Sequence, residues 1–134
     1  MTTIPERNDP NLPGWDPSMA FAPADQVQMP PKPQPATAYT LSGADFFRVV
    51  NNSNAAATTV TVPSDATAPE LPLGALIGVG QYGAGTVTIV PAAGVTLKRV
   101  ATAIPSARIN GLSGVLYLQK QAANVWLVVG SSLA

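Results

Sequence analysis

The stretch "LIGVGQYGAGTVTIV", residues 76–90, carries two opposed signals, and choosing between them decides the fold. Residues 78–83, "GVGQYG", spell G-x-G-x-x-G, the pattern by which a strand, a glycine turn and a helix N-terminus hold a dinucleotide. The residues after the glycines, however, do not read as a helix. In "TVTIV" Val87 and Ile89 point one way and Thr86 and Thr88 the other, which is the period of a strand with one buried face. No Asp or Glu occurs after Glu70 to take the ribose hydroxyls. The glycines therefore read as structural: Gly83-Ala84-Gly85 as a tight hairpin turn with positive φ, Gly78 and Gly80 as residues that thin one face of the incoming strand.

The same period recurs from Tyr39 onward. "YTL", "FFRVV", "TTVTVP", "LIGVGQY", "TVTIV", "GVTLKRV", "GVLYLQKQ" and "NVWLVVG" are short β-rich runs separated by "NNSN", "GAG", "PAAG", "NGLSG" and "AAN". In "TTVTV" Val60 and Val62 oppose Thr59 and Thr61. The piece "VATAIPSARINGL", Val100 to Leu112, is too long for a structureless loop and predicts one or two short edge strands. Such spacing predicts an all-β fold, a small antiparallel β-sandwich or barrel. Trp126, inside an apolar run, is expected in its core.

Before Pro35 the chain is different. Nine of its 14 prolines fall at positions 5 to 35, which rules out a helix or an interior strand. Residues 1–37 are expected to be an extended arm and residues 38–134 the β-domain. The arm carries Trp15, Met19, Phe21, Val27 and Met29, more apolar matter than a passive linker needs. At about 3.1 Å per residue, 35 residues of polyproline geometry reach on the order of 100 Å. Aromatics among prolines are what a segment that orders on binding contains, and Pro13, Trp15, Met19 and Phe21 are the expected partner-anchoring residues.

Composition narrows the chemistry. Cysteine and histidine are absent, which removes disulfides, thiol nucleophiles, the usual general base and the commonest neutral metal ligand. Downstream of the arm the carboxylates are Asp45, Asp65 and Glu70, the last two in one proline-containing loop where solvated acids are expected, not a facing catalytic pair. Lys98 and Lys120 have no Ser-x-x-Lys partner pattern. No enzyme, cofactor or metal is expected. Net charge is zero, so neither nucleic acid nor an acidic membrane is implied as a partner. The start, "MTTIPERNDP", has no apolar stretch after a basic one, and synthesis in a cytoplasm is expected. Charged residues make up 10% of the chain, against about 25% in ordinary soluble proteins. A surface so poor in charge predicts a homo-oligomer or a place against a larger assembly. Arg48, Lys98, Arg99, Arg108 and Lys120 are expected to cap sheet edges or pair across subunits.

The order of "YTLSGADFFRVVNNSNAAATTVTVPSD", "LPLGALIGVGQYGAGTVTIVPAAGVTL" and "GVLYLQKQAANVWLVVGSSLA" resembles the small β-domain of tailed-phage appendage proteins: tail fibres, head fibres and capsid decoration proteins. The resemblance spans roughly residues 38–134. It rests on the Val-Thr-Val-Pro strand, the Pro72-Leu73-Gly74 turn, the Gly-Ala-Gly segment before Val-Thr-Ile, and Asn124, Trp126 and Gly130 in the closing strand. It implies a homotrimer on a virion, with the arm gripping the major capsid protein or another virion protein. Unlike longer members, this chain has no coiled-coil or β-helical shaft and no separate receptor-binding head, which favours a decoration, cement or head-fibre protein. A receptor- or carbohydrate-binding tail module and a prophage-encoded oligomeric structural protein are the alternatives.

Overall fold

The computed structural model describes residues 29–109 and 111–130. They form eleven strands in two facing sheets: β1 (Pro31–Gln34), β2 (Ala38–Thr40), β3 (Val49–Asn52), β4 (Thr58–Val62), β5 (Leu76–Gln81), β6 (Val87–Pro91), β7 (Thr96–Arg99), β8 (Thr102–Ile104), β9 (Ala107–Arg108), β10 (Val115–Ala122) and β11 (Val125–Val129). A seven-stranded sheet runs β1-β3-β5-β10-β11-β7-β8, and a four-stranded sheet runs β2-β4-β6-β9. The fold is all-β, as the alternation predicts.

The sheets are mixed, not antiparallel. From β1 to β6 every strand lies in the opposite sheet from the one before it. Neighbours within a sheet are thus two strands apart in sequence, come round in the same direction, and pair parallel: β1 with β3, β3 with β5, β2 with β4, and β4 with β6. Each crossover that parallel pairing demands is itself a strand of the other sheet. Antiparallel pairing joins consecutive strands only in the hairpins β7–β8 and β10–β11, and elsewhere links β5 to β10 and β6 to β9.

Gly83-Ala84-Gly85 is accordingly a passage between sheets, not a hairpin. Neither glycine has a positive φ. They are needed for close approach: a Cβ on Gly83 would strike the carbonyls of Ser53 and Asn54, and one on Gly85 the carbonyl of Ala56. The run "FFRVV" is also shorter as a strand than its composition predicts. Phe46 and Phe47 form a turn, Phe47 at φ 57°, after a 3-10 turn at Gly43–Asp45 that Ser42 and Asp45 close as a capping box.

The core lies between the sheets. Val50, Ile77, Val79, Leu97, Leu116, Leu118, Trp126 and Val128 from the large sheet meet Val60, Val62, Val87, Ile89 and Ala107 from the small one, all buried. Outward from the small sheet stand Ala38, Thr40, Thr59, Thr61, Thr88 and Val90, with Arg108 the one charge among these rows. The segment from Val100 to Leu112 supplies β8 and β9, each at a sheet edge.

The boundary expected after residue 37 moves upstream, because Pro31–Gln34 is the edge strand of the large sheet. Val49 N–H donates to the Pro30 carbonyl and Ser53 N–H to that of Gln34, at 3.2 and 3.1 Å. In a parallel ladder this phase turns Lys32 and Gln34 toward β3 and leaves Pro31 and Pro33, which lack an N–H, facing the open edge. Proline is tolerated there, and it denies a further strand its donors.

Candidate functional site

The outer face of the large sheet is built in rows that the register fixes. Pro31, Val49, Gly78, Tyr117 and Val129 form one row across five strands. Pro33, Asn51, Gly80 and Val115 form the next. Leu76, Gln119, Leu127 and Lys98 form a third. Lys98 is the only charged residue in these three rows.

Gly78 and Gly80 leave a trough along β5, and two tyrosines lie over it. A Cβ on Gly80 would stand 2.9 Å from Tyr82 Cε1, and one on Gly78 would stand 3.4 Å from Tyr117 Cε1. Rings laid over strand glycines restore packing that the missing side chains forfeit. Their other faces meet water: Tyr82 is 54% and Tyr117 38% exposed, with Val129 at 50%. Asn51 Oδ1, 3.5 Å from the Gly80 Cβ position, is buried without a hydrogen-bond partner. A shallow groove of about 350 Å³ lies between Arg99, Val100 and Leu127–Gly130. Phe46, Phe47 and Leu112 add further exposed apolar surface elsewhere.

The chain enters the large sheet through β1, and the side chains on the inward side of that strand fasten it. Lys32 Nζ donates to Asp45 Oδ1 at 2.9 Å and to Tyr39 Oη at 2.8 Å, Tyr39 Oη donates to the same carboxylate, and Ser42 N–H caps Asp45 Oδ2 at 2.9 Å. Asp45 is fully buried. The hydrogen bonds to Tyr39 and then Asp45 hold the Lys32 ammonium above its usual pKa. Further along, Gln34 Nε2 donates to Asn52 Oδ1 at 2.7 Å, and Asn52 Nδ2 to the Gly80 carbonyl at 3.0 Å, a buried amide row across three strands.

The acids of the β-domain are spent on structure. Asp65 pairs with Lys120 Nζ at 2.7 Å and accepts from Asn124 N–H. Glu70 accepts from Gly43 N–H, and hydrogen bonds from its own backbone N–H and then that of Gly43 lower its pKa. Asp65 and Glu70 thus face different partners, not each other, and Asp65 is not the solvated loop acid its context predicts. Lys120 corrects a second expectation: it caps no edge and sits in β10 at 6% exposure, also donating to the Leu71 carbonyl at 2.8 Å. Trp126 is in the core at 1% exposure, as its setting predicts. The six residues of "GVGQYG" lead into no helix, so the strand–turn–helix geometry of a dinucleotide site does not form.

Pro13, Trp15, Met19 and Phe21 lie outside the described residues. Sequence reasoning misses the tyrosine platform, although the spacing Gly78, Gly80, Tyr82 places all three on one strand face and is a signal that could have found it. Compared with known protein families, curated proteins and solved structures, the chain matches none.

Proposed function

We propose that this chain is a structural protein of a phage particle, a capsid decoration, cement or head-fibre protein held to the head by its N-terminal arm. In this reading Pro13, Trp15, Met19 and Phe21 grip the major capsid protein or another virion protein, the β-domain projects as a homotrimer, and no catalysis, cofactor, nucleic acid or membrane is involved. The observation that carries it is how the arm is joined to the domain. It continues into a ladder-bonded edge strand locked by a half-buried ion pair, so a pull on the arm is borne by the sheet. The nearly uncharged threonine face of the small sheet is the surface assigned to self-association, since identical copies meet there with little like-charge repulsion.

Two measurements test the reading. Sedimentation of the full chain at micromolar concentration should give a trimer, and a clean monomer would refute it. Deleting residues 1–28 should leave a folded domain that no longer co-sediments with heads lacking the native copy. Undiminished attachment would transfer the docking surface to the domain. The second reading, a receptor- or carbohydrate-binding tail module, is favoured by one observation: exposed Tyr82 and Tyr117 share a face with the amides of Asn51 and Gln119. It predicts glycan binding that is lost in Tyr82→Ala and Tyr117→Ala.

A further inference from the structure

The arm and the outer face of the large sheet complement each other in three respects. The first is charge. Among the described residues the acids are Asp45, Asp65 and Glu70 and the cations are Lys32, Arg48, Lys98, Arg99, Arg108 and Lys120, a net of +3 (6 − 3). Residues 1–28 hold Glu6, Asp9, Asp16 and Asp25 against Arg7, a net of −3 (1 − 4). The positive excess belongs to the domain as a whole; within the described residues only Lys32 and Lys120 form ion pairs, so Lys98, the charge that the register puts on this face, has no carboxylate there. The second is chemistry. The face offers exposed tyrosine rings, Leu127 and Val129, and flat aromatic surface is what proline-rich segments dock against. The third is reach. From Pro31 on β1 to Leu127 on β11 is four strand spacings, about 19 Å. The 15 residues between Trp15 and Pro30 reach about 47 Å at the 3.1 Å per residue of polyproline geometry, so the span lies within their length.

We propose that residues 10–28 of the same chain fold back across this face, with Trp15 against Tyr117, Leu127 and Val129, and Asp16 beside Lys98. The arm then has a resting place on its own domain. This does not depend on the virion reading, because it is a property of the isolated chain. Joined to it, the docked arm keeps Trp15 and Phe21 covered until a partner surface competes for them.

The chain has no cysteine, so Ser18→Cys gives a unique site for a nitroxide label in the full-length protein. The amide signals of Gly78, Lys98, Tyr117 and Leu127 should be lost in the labelled protein and return when the label is reduced, while those of Thr59 and Thr88 on the opposite sheet persist. Adding Trp15→Ala and Phe21→Ala should restore the lost signals, and the reduced spectrum reports whether the variant is folded. Signal loss spread evenly over both sheets, or none, overturns the proposal. A sample mixing labelled chains of natural isotope content with unlabelled 15N chains should show no loss. Loss in that mixture would assign the face to a second copy's arm and overturn docking within one chain.

Discussion

Lys120 is the most informative residue to perturb, because its amine is covered while its acid partner is not. Its Nζ has two acceptors, Asp65 Oδ1 at 2.7 Å and the Leu71 carbonyl at 2.8 Å, and the residue is 6% exposed against 31% for the Asp65 side chain. Lys120→Met keeps most of the stem but leaves the Leu71 carbonyl without its donor, a cost of about 1–3 kcal/mol. Asp65 returns part-way to water, so its share is that of an exposed pair, below about 1 kcal/mol. Relief of the buried ammonium offsets part of this, and a net loss of about 2 kcal/mol is expected. Asp65→Asn strands the cation instead. The single amide oxygen must choose between Lys120 and the Asn124 N–H, and a buried ammonium short of a partner costs more, about 3 kcal/mol. The double variant should resemble Lys120→Met alone, a coupling of about 2–3 kcal/mol. Urea unfolding followed by circular dichroism resolves this, since 3 kcal/mol displaces the midpoint by about 2 M at a slope of about 1.5 kcal/mol/M. Additive losses in the double variant, or an Asp65→Asn cost below about 0.5 kcal/mol, would refute the reasoning.

Three further outcomes are expected. Trp126→Ala should cost about 3–5 kcal/mol and leave little folded protein in a thermal melt, because the indole fills the core between Leu97 and Lys120. Gly85→Ala should cost at least about 3 kcal/mol in the same urea assay, since the added methyl meets the Ala56 carbonyl, whereas Gly94→Ala should cost only about 1 kcal/mol, its φ of 81° being strained but its surroundings open. The Lys32 ammonium has a folded pKa above its unfolded value, so its stabilisation is complete below about pH 10.4 and is lost as the pH rises through the folded value; Lys32→Met should flatten that alkaline decline in unfolding titrations.

Alternation makes one layer of the fold legible and leaves the next obscure. Val60, Val62, Val87 and Ile89 are buried as their spacing with threonine requires, and the same rule places Lys120 inward with Leu116 and Leu118. Applied to that run it exposes a buried cation in need of a partner, a signal stronger than the general habit of lysine at edges. Sheet membership is not legible. "GAG" has the same local chemistry whether it closes a hairpin or carries the chain to the other sheet, and only the carbonyls of Ser53, Asn54 and Ala56, distant in sequence, distinguish the two. The glycine–tyrosine platform depends on cross-strand register, which sets Tyr117 opposite Gly78 and has no counterpart in local sequence. Density of proline conceals β1, yet Pro31 and Pro33 two apart put both missing donors on one side, which is the pattern an edge strand permits.

That strand also determines where the arm ends, and a pair of truncations decides it. Removing residues 1–28 takes nothing from the ladder. Removing residues 1–35 deletes β1, uncovers the β3 edge, removes the Gln34–Asn52 side-chain hydrogen bond and leaves Asp45, fully buried, without Lys32. Asp45 keeps the Tyr39 hydroxyl and Ser42 N–H, and water can enter where Lys32 stood, so its share is lower than the 3–5 kcal/mol typical of a broken buried pair, about 2 kcal/mol. The lost ladder and side-chain hydrogen bonds add about 1 kcal/mol each. The shorter truncation should therefore lose at most what docking of the arm adds, and the longer one should fall by several kcal/mol more. It should also scatter light, because β3 then offers unpaired N–H groups that Pro31 and Pro33 no longer screen. Equal midpoints for the two would mean that β1 adds nothing to the sandwich. The force-transmitting junction inferred for the arm would fall with it, even if the deleted chain still failed to reach a virion.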